Sequence, residues 1–258
     1  MNILVCVKRV PATGARIVLT EDERDIETRN LGFTISPHEE CAVEEAVRLV
    51  EKHGGASTIL TLGTELAEEQ LRDGLAVGMD NAILLQTDGD EWDAMAIAAA
   101  IVDAVKVQHD AGNNFDLLLF GNEAADSGDY QVGVRVAHAL DLPCVTGIKG
   151  VEIDGGQALA RREGPGGWEL YEVSLPAVFT VKEGINLPRY PSLPGRLKAK
   201  KKPVERVTPQ HNGGGLQKVR LKNPPEQQSE VRVLGEGAQA AARTAIQIVD
   251  ILEELKLV

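Results

Sequence analysis

The stretch Asp116–Gly133, DLLLFGNEAADSGDYQVG, has residue types and spacing that suit a ligand site. Its compact apolar run, Leu117 to Phe120, suits a buried strand. Gly121 stops the run, and a polar loop follows: Asn122, Glu123, Ala124, Ala125, Asp126, Ser127, Gly128 and Asp129. From Gln131, Val132, Val136 and Leu140 recur at helical spacing. Strand, open loop, helix is how a parallel sheet presents a ligand at the carboxyl ends of its strands. Amides of the loop and helix start can bind an anion such as phosphate. The same stretch also reads as an ordinary strand-to-helix turn, and it matches neither a P-loop nor GxGxxG.

No second constellation competes with it. His38, His53, His109, His138 and His211 are scattered, and no triad, HExxH or carboxylate pair beside a His emerges. No catalytic residue and no metal ligand is therefore expected. Cys6, Cys41 and Cys144 lie too far apart for CxxC or a zinc knuckle and read as packing residues in a reducing cytosol. Glu39, Glu40, Glu44 and Glu45 share one helix and are expected to face solvent.

The elements that must position the loop follow from apolar patterning. With 43% hydrophobic but only 3% aromatic residues in 258, the core is built from Val, Ile, Leu and Ala. A formal charge of −12 argues against a nucleic-acid or anionic-membrane binder. No apolar run reaches the length of a membrane span and no signal peptide is apparent, so a cytoplasmic location without membrane insertion is expected.

Strands are predicted over Asn2–Val7, Ser57–Leu62, Asn81–Leu85 and Asp116–Phe120, with a short one at Ile17–Leu19. Helices follow from Ser36, over Glu65–Val77, over Trp92–His109 and from Gln131. Ser36 is a good N-cap, Pro37 suits the first helical position, and Glu39 and Glu40 favour the positive end of the dipole. Asp90 or Asp93 caps the third helix. This alternation predicts an α/β fold with a mainly parallel, doubly wound, Rossmann-like sheet.

The pattern then changes. Thr146–Ile153 and Gln157–Arg162 flank Asp154-Gly155-Gly156 as a hairpin, Glu169–Val173 adds a strand, and Ala177–Val181 returns to the sheet. From Glu183 regular structure thins into a Pro-punctuated segment and an extended C-terminal arm, ending in a helix over Gly237–Leu255. Long irregular segments of this kind are more often functional or partner-bound.

Three stretches together carry a family resemblance: NILVCVKRVP at the start, CAVEEAVRL (41–49) followed by GLAVGMDNAILL (74–85), and LPAVFTVKEGINLPRYPSLPGRLKAKKKPVE (175–205). Along nearly its whole length the chain resembles the β subunit of electron-transfer flavoprotein, including the FixA branch. The resemblance implies a non-catalytic electron carrier working as an αβ heterodimer on an adenine-nucleotide-hydrolase-like fold. FAD is held mainly by the α subunit, and a second nucleotide lies in β: AMP in simple carriers, a second FAD in electron-bifurcating members. Acyl-CoA and other flavin dehydrogenases are the implied donors, and a membrane ETF:quinone oxidoreductase the implied acceptor.

Carried over by position, the nucleotide in β falls to Cys6, to Ser36, Pro37, His38 and Glu39, to Leu62, and to the loop from Gly121 through Tyr130 and Gln131 to Val132. Thr13 and His38 lie near the α-held FAD. Many relatives have Asn-Gln-Thr or Thr-Ala-Gln where this chain has Asp129-Tyr130-Gln131-Val132, and Asp126 and Asp129 add charge that repels a phosphate unless they point away. The resemblance assigns partner recognition to Arg189, Tyr190, Leu193, Lys200, Lys201 and Lys202, with Leu193 as the inserted anchor. Three regions result: a nucleotide-binding domain over 1–182, a partner-recognition loop over 183–203, and a C-terminal arm and helix over 204–258 that packs on the α subunit. The remaining alternative is a stand-alone adenine-nucleotide-binding protein of the universal-stress type, which leaves the Pro-rich segment and the arm without a role.

Overall fold

Alternation of apolar side chains along each strand decides how the chain layers. The computed structural model describes every residue except 13, 15, 213 and 226–232, and it falls into two units, Met1–Arg220 and Leu221–Val258. In the first unit the chain runs β1 (Asn2–Val7), β2 (Val10–Pro11), β3 (Phe33–Thr34), α1 (Pro37–His53), β4 (Ala56–Gly63), α2 (Glu68–Val77), β5 (Asn81–Gln86), α3 (Ala94–Asp110), β6 (Leu117–Gly121) and α4 (Val132–Ala139). It continues through β7 (Cys144–Asp154), β8 (Gln157–Gly164), β9 (Gly167–Ser174), β10 (Ala177–Val181), α5 (Leu193–Ala199) and β11 (Glu205–Val207).

Nine strands form one sheet in the order β11-β5-β4-β1-β6-β10-β7-β8-β9. The pairs from β11 to β7 are parallel, and β7, β8 and β9 pair antiparallel. On β1, Ile3, Val5 and Val7 join the core under α1 and α2, while Leu4 and Cys6 join the core under α3 and α4. Both faces are thus covered, the doubly wound arrangement that the sequence alternation predicts. In the second unit α6 (Ala241–Glu254) carries Ile246, Ile248 and Val249 exposed. No described helix is long and apolar enough to cross a membrane.

Several local expectations are corrected. The two-residue pair β2–β3 is too short to show as a pattern, and Ile17–Leu19 contributes only a bridge between Leu19 and Ile26. The helix predicted from Glu65 opens as a 3-10 turn over Glu65–Ala67. The segment after Glu183 is more regular than its prolines suggest. Ser192 accepts from the Gly195 amide at 3.1 Å and starts α5, with Pro194 in the first turn, where its missing N–H costs nothing. Arg72 donates to the Ala199 carbonyl at 2.6 Å, and the Lys202 ammonium to the Met79 carbonyl at 2.7 Å. Those bonds lead the chain into β11 on the sheet edge.

The acidic face of α1 is the largest correction. Glu39, Glu44 and Glu45 are buried, and only Glu40 faces solvent. Chain from distant parts of the sequence covers them: Lys8 reaches Glu39, Asn186 reaches Glu45, and Arg189 reaches Glu44. Helical periodicity cannot show partners that far away in sequence.

Candidate functional site

The site is built where the winding of the sheet reverses. β1 lies between β4 and β6; the chain goes first to β4 and later crosses to β6, so the loops after these strands diverge and leave a crevice at their carboxyl ends. A cavity of about 330 Å³ opens there. Its walls are apolar, from Leu60, Ile97, Ile101 and Phe120, and its rim is polar, with Lys8, Thr64, Thr87 and Asn122. An apolar slot with a few placed polar groups is the usual form of a small-molecule site, and this volume lies at the lower end of the range of roughly 300–1,000 Å³.

Among the helix starts on this edge, those of α1 and α4 are finished differently. At α1, Ser36 Oγ accepts from the Glu39 amide at 3.2 Å, and Glu39 Oε2 accepts from the Ser36 amide at 2.8 Å, closing a capping box. The other carboxylate oxygen accepts from the Lys8 amide at 2.9 Å, which fixes the end of β1 to the helix. Burial raises the Glu39 carboxyl to about 7, against the opposing pull of these amides. Burial, with Glu39 beside it, also pushes the Cys6 thiol up, so it stays protonated and inert. Gly121 makes this packing possible, since a Cβ there would stand 2.7 Å from Glu39 Cγ.

At α4 no side chain caps the first turn. The Gln131 side chain turns away and accepts from Arg135 at 2.8 Å and 3.0 Å. Because Arg135 N makes the first helical bond, to Gln131 O, the amides at the start of this helix lack intrahelical partners, and Val132 and Gly133 line the cavity. Gly133 lets the helix lie against the strands: a Cβ would meet Thr180 Cγ2 at 3.1 Å and Phe120 Cγ at 3.2 Å. The loop ahead is held by its own backbone, Ala124 N to Asp129 O at 3.0 Å and Gly128 N to Ala124 O at 2.8 Å. Asn122 is tied from behind by Thr180 Oγ1 at 2.9 Å, which itself accepts from the Gly147 amide at 2.8 Å.

The cavity brings together Cys6, Glu39, Leu62, Gly121, Asn122, Glu123, Ala124, Ser127, Asp129, Tyr130 and Val132 from the residues predicted. Ser36, Pro37, His38, Ala125, Asp126, Gly128 and Gln131 do not line it. Asp126 turns to Lys8 Nζ at 2.7 Å and accepts from the Ser127 amide at 2.8 Å, so one of the two added carboxylates is neutralised and the other, Asp129, stays on the lining. His38 stands behind the loop, accepting from the Glu183 amide on Nδ1 at 2.8 Å and presenting Nε2 to Glu123 at 3.5 Å. Thr13 lies outside the described residues. Sequence reasoning missed the far wall: Thr64 after β4, and Thr87, Gly89, Asp90 and Trp92 after β5. The run Thr87 to Asp93, TDGDEWD, carries the same loop signal as Gly121–Asp129 and was the cue available.

A second surface lies on α1. Arg189 forks onto Glu44 at 2.8 Å and 3.0 Å and onto Glu51 at 2.7 Å and 3.0 Å, and Asn186 donates to Glu45 at 2.8 Å. Held at those points, the segment leaves Leu187, Tyr190 and Leu193 at 90%, 96% and 72% exposure. Lys200 and Lys201 are exposed, whereas Lys202 is bonded to Met79.

The profile of the electron transfer flavoprotein domain matches residues 25–212. The chain is similar to the electron transfer flavoprotein subunit beta of Bacillus subtilis, at 43% identity over 80% of this chain and 79% of that protein. It is also similar to the protein of that name in Syntrophomonas wolfei, at 38% identity over 95% of this chain and 94% of the relative. The Thermoanaerobacterium thermosaccharolyticum protein of the same name is 35% identical over 81% of this chain and 78% of its own length.

Proposed function

The chain belongs to the electron transfer flavoprotein family, among its β subunits, and from that premise we propose that it is the β half of an αβ electron carrier with AMP in the cavity between β1, β4 and β6. The carrier takes electrons from flavin dehydrogenases, such as acyl-CoA dehydrogenases, and passes them towards a membrane ETF:quinone oxidoreductase. FAD, held mainly by the α subunit, supplies the redox chemistry; this chain binds, orients and shields rather than catalyses.

The observation that carries the AMP reading is the uncapped start of α4 on the cavity wall. Orphan amides and the positive end of the helix dipole suit one phosphate. Among the described residues, Lys8 is the only cationic side chain on the lining, and Asp126 already engages it. A lining with Asp90, Glu123 and Asp129 disfavours a longer phosphate chain. Leu60, Phe120, Ile97 and Ile101 then provide apolar faces for a flat base. The exposed apolar residues between Leu187 and Leu193 suit the dehydrogenase, with Leu193 as anchor, and the apolar residues of α6 suit the α subunit.

The test is co-expression with the α partner and quantification of nucleotide released from the purified complex. One FAD and one AMP per heterodimer is the expected result. Two FAD and no AMP would move the chain to the bifurcating class, and absence of both flavin and a stable partner would overturn the carrier reading.

A further inference from the structure

Trp92, in the turn between β5 and α3, lines the cavity and joins the apolar cluster that holds Leu60, Leu62, Ile97 and Ile101. Edge-on to its indole stands His211, with ring centroids 4.5 Å apart and planes at 65°. His211 does not line the cavity; it belongs to the chain that leaves β11, far from Trp92 in sequence. Asp93 brings that chain back to the turn. One of its carboxylate oxygens caps α3 through the Ala96 amide at 2.8 Å, and the other accepts from the Gly215 and Leu216 amides at 3.0 Å and 3.3 Å. Gly214, at φ +115°, lets the returning chain pass this close, since a Cβ there would stand 3.3 Å from each carboxylate oxygen. The amide bonds hold the Asp93 carboxyl below the usual carboxylate range, so the tie persists at neutral pH. Among the described residues, the further polar contacts of this stretch are long ion pairs, Lys218 to Glu91 at 4.0 Å and Arg220 to Glu23 at 3.8 Å. Exposed pairs of that length contribute little, so the Asp93 tie is what fixes His211 beside the indole.

We infer that Asp93 and His211 are positioning residues that hold the Trp92 indole in place against the base of the bound nucleotide. The inference rests on the adenine-nucleotide reading above and adds which residues outside the cavity govern its grip on the base. With the phosphate at the start of α4, the base lies among Leu60, Ile97 and Ile101, the side chains with which Trp92 clusters. Asp93 and His211 line no part of the cavity and act only through the indole. An indole free to turn away loses side-chain freedom each time a base binds, whereas one already held does not. An edge-on aromatic contact adds roughly two- to tenfold beyond the area it buries, which is the scale of the bias that His211 supplies. Removing the Asp93 tie frees the returning chain as well and has the larger effect.

The experiment uses the FAD-loaded heterodimer stripped of AMP and measures two probes, AMP and ribose 5-phosphate, which share sugar and phosphate and differ in the base. Wild type is expected to hold AMP more tightly. Asp93→Ser keeps a hydroxyl to cap α3 but has no second oxygen for the returning chain. It is expected to weaken AMP about tenfold, chiefly through faster dissociation, and to leave ribose 5-phosphate within twofold. His211→Ala is expected to weaken AMP about threefold, again without moving ribose 5-phosphate. His211→Phe, which restores a ring beside the indole, is expected to stay within twofold of wild type for both probes. Unchanged AMP affinity in Asp93→Ser and His211→Ala, or equal weakening of both probes, would overturn the positioning role and leave the nucleotide site standing. Wild type that binds ribose 5-phosphate as tightly as AMP would overturn it too, because the base would then gain nothing from the indole. Binding of neither probe by wild type would instead remove the adenine-nucleotide reading itself.

Discussion

The cavity wall and the 186–193 segment hang from the same helix, and α1 holds them by opposite means. At the cavity, Glu39 uses both carboxylate oxygens to accept from backbone amides, those of Ser36 and Lys8, and among the described residues no cation is bonded to it. One turn and more along, Glu44 takes a bidentate guanidinium from Arg189, which Glu51 shares. The first arrangement fixes main chain and leaves a smooth recess. The second fixes one long side chain, and the apolar residues around it project outwards. The enclosed recess is built from amides and a close-packed glycine. The exposed run is built on a charged clamp at its root. Each part of the contrast can be tested separately.

The cavity should be the less forgiving region. Gly121→Val is expected to cost about 3 kcal/mol, because the new side chain meets Glu39 at a position where both of its oxygens are already committed. Denaturant unfolding of the chain checks the stability, and AMP retention in the heterodimer should fall with it. A loss below about 0.5 kcal/mol would mean that Glu39 can move freely and that the recess is not rigid.

The titration of Glu39 comes next in size. Its carboxyl is raised to about 7 by burial, against about 4.3 in an unfolded chain. Between those values the folded protein holds a proton that the unfolded chain has lost, so the stability contributed by this group is complete below the lower value and is lost as pH rises through about 7. Glu39→Gln cannot titrate. The variant should therefore gain on wild type as pH rises from 5 to 8, by on the order of 2 kcal/mol. Unfolding free energies at several pH values give this directly. The opposite trend would show that the two amide bonds outweigh burial.

At the charged clamp, Glu44→Ala is expected to cost about 1–2 kcal/mol, less than the roughly 3–5 kcal/mol for breaking a fully buried pair. The discount reflects the Arg189 side chain, which is 36% exposed and keeps Glu51 as a partner. Salt should reduce the difference between variant and wild type here and leave the Gly121→Val cost unchanged.

The same contrast explains what could be read without coordinates. The strands of the parallel sheet were legible because two-sided burial leaves continuous apolar runs, as in Asn2–Val7 and Leu117–Phe120. Half of the cavity was legible for the same reason: a strand end followed by a polar, Gly-containing loop marks the edge where ligands sit. The buried carboxylates of α1 were not legible. Glu39, Glu44 and Glu45 look like a solvated stripe until Lys8, Arg189 and Asn186 arrive from 31, 145 and 141 residues away. α5 was hidden by its prolines, although Pro194 sits where a helix tolerates one. His211 was hidden altogether, since only the fold brings it to Trp92.

The smallest expected change in stability is at Leu193, and it separates the two regions most sharply. Its side chain opens α5 at 72% exposure, just after the Ser192 cap, so removing it disturbs neither the cap nor the core. Leu193→Ala should alter unfolding free energy by less than about 0.5 kcal/mol and leave AMP and FAD content unchanged. Affinity for the electron donor should nevertheless fall about tenfold, the equivalent of ~1.4 kcal/mol, because the helix start pre-orders the side chain and little entropy is lost when it is buried in a partner. On the proposed function, titration of the heterodimer against a flavin dehydrogenase, with wild type and variant side by side, gives the number. A variant that binds the donor as tightly as wild type would place the anchor elsewhere on the exposed run, with Leu187 and Tyr190 the next positions to truncate.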